Sequence, residues 1–257
     1  MTTLKSLIVL AHPEKRSFNA QMASIAEQVL SRGEEDSARV LDLYGMGFDP
    51  VERGEHYANR KDLECFDAQA EQRHAADTDA LPQDVRAHLE AVERADLLIL
   101  QYPLWWYTPP AILKGWLDRV LVYGRAYTGQ RRYDRGHFRG KRAMLSVTVG
   151  ALEPTYRYNG RNGDIVHLLW PLNFTLYYVG FTVLEPFVAY GIEGGLKYSE
   201  QSEAVRRLRR CQADFERTLA RLDQRPTIPF NGWDDWDEEG RLKPGVPGYS
   251  PFMRSDP

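Results

Sequence analysis

The sequence predicts an α/β fold: a doubly wound sheet of five parallel strands with helices on both faces. Three observations lead there. Short continuous apolar runs, such as Leu7-Ile8-Val9-Leu10 and Leu97-Leu98-Ile99-Leu100, read as strands buried on both sides. Segments with apolar residues at helical spacing stand between them. Strand and helix alternate five times along 257 residues, which implies one sheet with right-handed crossovers.

The first strand, at 7–10, leads into a helix from Phe18 to Leu30, with Met22, Ile25, Ala26 and Val29 inward and Ser17 as N-cap. Val40-Leu41-Asp42-Leu43 is the second strand. Residues 44–81 are charged and aperiodic and read as a surface excursion, partly helical. Asp84 to Arg94 is a helix, 97–101 the third strand, and about Pro110 to Val122 the next helix. A Gly- and Arg-rich connection follows, then a fourth strand at Ala143–Thr148 and a loop at 149–163. Asp164 to Val179 is an apolar helix, Thr182-Val183-Leu184 begins the fifth strand, and Ser199 to Leu222 is a long amphipathic helix. These elements form one domain over residues 1–223. The irregular tail, 224–257, is too aromatic for a solvated end and is expected to lie on its own or a partner subunit.

A formal net charge of −3 gives no sign of a nucleic-acid binder, and no apolar run is long enough to span a bilayer. Met1-Thr2-Thr3-Leu4-Lys5 enters a strand at once, which argues against a cleaved leader. Cys65 and Cys211 lie far apart and read as reduced thiols of a cytoplasmic protein. The histidines show no metal-ligand spacing, and His167, on an apolar helix, reads as a core or interface residue. Asp235-x-Asp237-x-Glu239-Gly240 begins like a calcium loop but has Val246 where the twelfth-position acid belongs. Arg206, Arg207, Arg209 and Arg210 read as a solvated helix face.

Three strand-to-helix loops fall on one edge of such a sheet: 11–18, 102–110 and 149–163. The first, Ala11-His12-Pro13-Glu14-Lys15-Arg16-Ser17, ends at a helix N-terminus, where free N–H groups and the helix dipole attract an anion. No dinucleotide fingerprint or P-loop is present. The second, Gln101-Tyr102-Pro103-Leu104-Trp105-Trp106-Tyr107-Thr108-Pro109-Pro110, opens from a strand end into three consecutive aromatics. Their side chains cannot all enter one core, so at least one is free to cover a flat ligand.

His12-Pro13-x-x-x-Ser17-Phe18-Asn19, the 102–119 stretch, Ala126-Tyr127-Thr128, Thr148-x-Gly150, Gly163-Asp164, Trp170-Pro171 and Gly180-Phe181-x-Val183-Leu184-Glu185-Pro186 occur together in this order. Over residues 5–190 the chain resembles the flavodoxin-like NAD(P)H:quinone oxidoreductases of the DT-diaphorase type. The run Pro109-x-Ala111-Ile112-Leu113-Lys114-Gly115-Trp116 is its most specific part. The resemblance implies a flavodoxin-like homodimer that holds FAD across the carboxyl edge of the sheet. It implies that His12, Ser17, Phe18 and Asn19 hold the diphosphate and ribityl chain. Pro103, Leu104, Trp105, Trp106 and Tyr107 would line the isoalloxazine, partly through backbone amides. Thr148, Val149, Gly150 and Ala151 would meet its polar edge, and Tyr156 and Asn162 its pyrimidine end. Val51 and Asp118 would approach the partner's flavin. Trp106, Tyr107, Tyr127, Tyr178 and Asn162 would form the substrate pocket, with Tyr127 closing it and Tyr178 across from Tyr127; Tyr156, Asn162 and Gly150 are the implied catalytic positions. The implied reaction is ping-pong: NAD(P)H gives a hydride to flavin N5 and leaves, and a quinone takes it in the same slot.

Four departures from that pattern bear on function. Asn162 stands where the resemblance expects His; it donates only a neutral hydrogen bond, a loss of about 1–2 kcal/mol, or roughly tenfold in rate. Arg161 would restore the charge if it turned inward. Gly129 replaces a pocket tyrosine and widens the mouth. Ala151 replaces a glycine and requires negative φ. Of the Gln and Arg that the resemblance expects to hold the adenosine half, Asp67 or Gln69 falls near the Gln and nothing firm falls at the Arg, so FMN stands as the alternative cofactor. Azo, nitroaromatic or specialised-metabolite reduction, and a flavin-holding regulatory subunit, are the alternative functions.

Overall fold

The computed structural model describes residues 4–31, 37–193 and 201–253. Residues 1–3 and Ser199, named in the sequence reading, lie outside these. Continuous apolar runs form β1 (Ser6–Leu10), β3 (Leu97–Pro103) and β4 (Arg142–Thr148), almost wholly buried, with β2 (Ala38–Asp42) at one edge. The order is β2-β1-β3-β4-β5, all parallel, with Ile8 beside Ile99 and Gln101 beside Ser146. The fifth position is split. β5 (Thr182–Val183) pairs with the start of β4 and β6 (Phe187–Ala189) with its end. Glu185-Pro186 lies between them, and proline has no N–H for the ladder.

The chain leaves β1 for β2 on one side and β3 on the other. The connections after β1 and β3 therefore diverge, and a crevice opens at the carboxyl ends of these two strands. α1 (Phe18–Leu30) and α6 (Gln201–Leu219) cover one face, where Met22, Ala26, Phe215 and Leu219 pack on Ile8, Ile99 and Met144. α3 (Gln83–Arg94), α4 (Ala111–Val120) and α5 (Ile165–Tyr178) cover the other, around Leu98, Leu100 and Leu145. α2 (Ala68–Asp77) is the helical part of the excursion. Its buried Glu71 accepts from Arg60 Nε at 2.9 Å and from the Lys61 amide at 2.8 Å, closing the charged loop before it.

The tail runs along the sheet edge and then over α5. The Ile228 amide donates to Val183 O at 2.8 Å, the Glu185 amide donates to Pro226 O at 2.9 Å, and Thr227 bridges Leu184 antiparallel. Phe230 stacks on Tyr177 with centroids 4.4 Å apart, and the Tyr177 hydroxyl donates to Asn231 O at 2.8 Å. Two expectations are corrected. Of the core-or-interface reading of His167 only the core half is overturned: it is exposed on α5, edge-on to Phe252 of the tail, because the inward face there is taken by Leu169, Leu172 and Leu176. Arg207 is no solvated residue, for its Nε donates to Gly191 O at 3.1 Å. Among the described residues no helix is long and apolar enough to cross a membrane, and no acidic, His and Cys cluster could hold a metal.

Candidate functional site

The connection after β1 is a tight turn that ends at the N-terminus of α1. The Glu14 amide donates to His12 Nδ1 at 3.0 Å, so the proton of a neutral imidazole sits on Nε2. Burial pulls the His12 pKa below its usual value and keeps the ring neutral. Ser17 caps α1 by accepting from the Ala20 amide at 3.1 Å. Among the described residues the amides of Phe18 and Asn19 have no acceptor within the chain, as expected of a first helical turn. The Asn19 side chain, expected to touch a ligand, is instead buried. Its Nδ2 donates to Thr148 Oγ1 at 2.9 Å, and its Oδ1 accepts from Gln101 Nε2 at 2.8 Å. Asn19, Gln101 and Thr148 thus brace α1, β3 and β4 beneath the crevice, which leaves mainly backbone groups of Asn19 and Thr148 for a ligand.

The connection after β3 is a turn of unusual backbone. Trp106 and Tyr107 have φ of 51° and 62°, while Trp105 and Thr108 bridge antiparallel and the Thr108 amide donates to Trp105 O at 3.0 Å. Two successive left-handed residues between bridged neighbours match a type I′ turn, where Asn-Gly is usual. Each non-glycine in that region costs about 1–2 kcal/mol. The turn holds three large rings in solvent: Trp105 is 42 % exposed, Trp106 93 % and Tyr107 48 %. The Trp106 and Tyr107 amides have no partner among the described residues. Trp105 lies 5.7 Å, centroid to centroid, from His12, which joins this plate to the turn after β1. Pro103 is buried at the end of β3, and the Leu104 amide donates to Thr148 O at 2.9 Å.

The connection after β4 supplies an open floor. The Val149 side chain is buried, its amide donates to Ala189 O and its carbonyl accepts from the Ile192 amide. Ala151 has no positive φ, so its methyl is tolerated. Gly150 also lacks positive φ, and a Cβ there would meet nothing closer than Ile192 O at 3.9 Å. Among the described residues nothing demands glycine at 150; a group lying against the loop from outside would. Tyr156 is buried, yet its hydroxyl has no hydrogen-bond partner among the described residues. Burial raises its pKa, and nearby Tyr107 raises it further. Asn162 is pinned by Thr155: its Nδ2 donates to Thr155 Oγ1 at 2.9 Å and its amide to Thr155 O at 3.0 Å. Thr155, unmarked in the sequence, fixes Asn162, and Arg161 is exposed rather than turned inward.

The remaining expected residues form a second surface. A cleft of about 790 Å³ between α4 and α5 is lined by Thr108, Lys114, Asp118, Tyr127, Leu172 and Tyr178, among others. Asp118 is paired with Lys114 at 2.5 Å. Tyr127 meets Tyr178 edge-on at 5.6 Å. A Cβ on Gly129 would have no neighbour within 4 Å. Val51 is 51 % exposed. Trp106, Tyr107 and Asn162 are absent from the walls of this cleft; of the aromatic loop only Thr108 and Pro109 reach it. The expected pocket of Trp106, Tyr107, Tyr127, Tyr178 and Asn162 therefore does not close within one chain.

A family model described as flavodoxin-like fold matches residues 4–211. NAD(P)H dehydrogenase [quinone] 1 of Cavia porcellus is 45% identical over 190 residues, covering 73% of this chain and 69% of that protein. Ribosyldihydronicotinamide dehydrogenase [quinone] of Pongo abelii is 41% identical over 201 residues, covering 75% and 84%. A crystal structure from Klebsiella pneumoniae, described as a putative quinone reductase, superposes with a TM-score of 0.85 at 30% identity, covering 97% of this chain and 98% of that one. The curated relatives match about three quarters of the chain; the bacterial structure also matches nearly all of the tail-bearing length.

Proposed function

Since the chain belongs to the flavodoxin-like quinone reductases, the family of NAD(P)H dehydrogenase [quinone] 1, we propose that it reduces quinones with NAD(P)H by ping-pong hydride transfer through a bound flavin. The observation that carries this reading is the strained plate of Trp105, Trp106 and Tyr107, exposed beside His12 at the crevice. Strain of this kind persists where a ligand makes use of it. The residues fit a flavin. Phe18 and Asn19 amides and the Nε2 proton of His12 suit a phosphate. The Trp106 and Tyr107 amides suit ring heteroatoms, and the open face of Gly150 admits a flat ring. A flavin bound there supplies the two-electron redox chemistry. The protein's part is to stack flat reactants against the aromatic plate and hold them in register. Tyr156 offers a hydroxyl proton toward the polar edge, and Asn162, already used by Thr155, offers its carbonyl.

Phosphate recognition at α1 is common to FMN and FAD. FAD is the cofactor we assign, on the resemblance, and chromatography of the released cofactor decides between them. The two half-sites support a homodimer in which the plate of one copy faces the Tyr127–Tyr178 cleft of the other. The decisive experiment is an anaerobic absorption spectrum before and after NADPH, then after benzoquinone. Bleaching by NADPH and recovery with quinone are expected. A protein that takes up neither flavin overturns the reading. The open space at Gly129 favours one second reading, a preference for bulkier azo or nitro aromatics. A benzoquinone that outruns all of these by orders of magnitude removes it.

A further inference from the structure

The aromatic wall of the α4–α5 cleft has a cation behind it. Arg132 lies in the connection after α4, and its guanidinium carbon sits 5.3 Å from the ring centres of Tyr133 and Trp233 and 5.9 Å from that of Tyr178. Its Nη1 donates to the Tyr178 hydroxyl at 3.4 Å, while its Nε is enclosed without an acceptor. Among the described residues no carboxylate forms an ion pair with it. A half-buried guanidinium without an anion is unfavourable unless rings compensate, and here three do, one contributed by the tail.

Tyr178 itself lines the cleft. A phenol that accepts from a guanidinium keeps its own proton to donate, and the adjacent positive charge strengthens that donation. Elsewhere in the cleft Lys114 is balanced by Asp118; Arg132 lies behind the Tyr178 wall and lines a neighbouring pocket with Asp237 and Glu238, neither of which pairs with it among the described residues. The Asn162 amide is neutral, with one Nδ2 hydrogen held by Thr155, and Arg161 is exposed, so neither brings a charged donor to the reacting groups.

We propose that Tyr178, positioned and polarised by Arg132, hydrogen-bonds an acceptor oxygen that carries negative charge, so that the enzyme prefers flat acceptors with an anionic oxygen substituent. This rests on the cleft being the acceptor wall. Hydride addition brings two electrons and one proton to a quinone and leaves a hydroquinone monoanion. Tyr178 hydrogen-bonds the anionic oxygen of the substituent, not the reacting quinone oxygen, and transfers no proton; the second proton comes from water. Arg132 acts only through Tyr178 and is a positioning residue.

The test compares 1,2-naphthoquinone with 1,2-naphthoquinone-4-sulfonate in the native enzyme and in Tyr178→Phe, Arg132→Met and Arg132→Lys. The native enzyme is expected to show a lower KM for the sulfonate, and Tyr178→Phe and Arg132→Met to erase roughly tenfold of the KM ratio, as for a hydrogen bond to a charged group. Arg132→Lys restores part of it. kcat for the sulfonate changes less than KM. Equal KM values for the two acceptors in the native enzyme overturn the proposal, whatever the variants do. So does a variant series in which the ratio stays constant. A native protein that NADPH cannot bleach would instead overturn the functional reading. NADH and NADPH are compared in the reductive half-reaction; if Arg132→Met alters their ratio and not the acceptor ratio, the anion recognised is the 2′-phosphate and the proposal fails.

Discussion

Trp106 and Gly150 are opposite cases of residue choice. At Trp106 a bulky residue occupies a backbone state that suits glycine; at Gly150 a glycine occupies a state open to any residue. Both choices work against folding preference and point outward to a ligand. Replacing Trp106 by Gly should raise stability by about 1 kcal/mol by relieving the left-handed strain. The same change should lower acceptor kcat/KM by roughly tenfold through lost stacking. Thermal melts and steady-state kinetics on one preparation check both signs. Gly150→Val should melt like the native protein yet retain less flavin, read as the ratio of visible to ultraviolet absorbance. Normal flavin content in a folded Gly150→Val would show that nothing lies against the loop. Neither residue's conformation was legible in advance. Left-handed turns are anticipated from Gly or Asn, and Trp-Tyr carries no such mark.

Elements differ in how openly their sequence declares them. α1 occupies the residues expected because Ser17 caps it and its buried Met22, Ala23 and Ala26 are apolar at helical spacing. α2 was legible only as partly helical. The residues it buries are Glu71, Gln72 and Ala75, so hydrogen bonding replaces apolar contact and no apolar stripe exists. β6 went unread because Glu185-Pro186 leaves two strand pieces of two and three residues, too short for a pattern. Thr155, the anchor of Asn162, carries no sequence mark, since a hydrogen bond seven residues apart across a loop leaves no periodic trace. Between elements, Arg119 of α4 is 2 % exposed and reaches Asp84 of α3 and the carbonyl of Asp49 at 2.8 and 2.7 Å. It also faces Glu52, which Tyr57 and Gln72 contact. Arg119→Leu should destabilise by about 3 kcal/mol, because it strands the Glu52 carboxylate without its cation. A shift in denaturant midpoint at constant slope measures it.

At the scale of the whole molecule, stability should depend on pH in two steps. Burial lowers the pKa of His88 and of His12 from an ordinary 6.5. The unfolded chain therefore takes up these protons first, and stability present above pH 6.5 declines as pH falls below it. His88 Nδ1 accepts from Trp116 Nε1 at 3.2 Å, so its protonation also breaks that bond. His88→Gln should flatten the first step in melting temperature between pH 7.5 and 5. Glu71 and Glu93 lose solvation on burial but gain more from Arg60 and backbone amides, and from Arg125 and His137. Their pKa values fall below the ordinary 4.5, and a second loss begins there. The assembly carries its own prediction. If crevice and cleft come from different copies, Gly150→Val and Tyr178→Ala damage different walls of each site. Co-expressed as a mixed dimer, they should regain one intact site and exceed either variant alone. Activity of the mixture at the mean of the two would mean that each chain builds its site unaided.

The run of residues 226–228 beside β5 has a colloidal consequence. An uncovered parallel strand presents its amides and carbonyls to any other chain, and such borders seed fibrils and precipitates. Here Glu185, Leu184 and Val183 already have neighbours in Pro226, Thr227 and Ile228. The last stretch of the polypeptide thus works as a selvage on the weave. It covers the β5 part of this border in the finished fold, far from the crevice at the opposite end of the sheet.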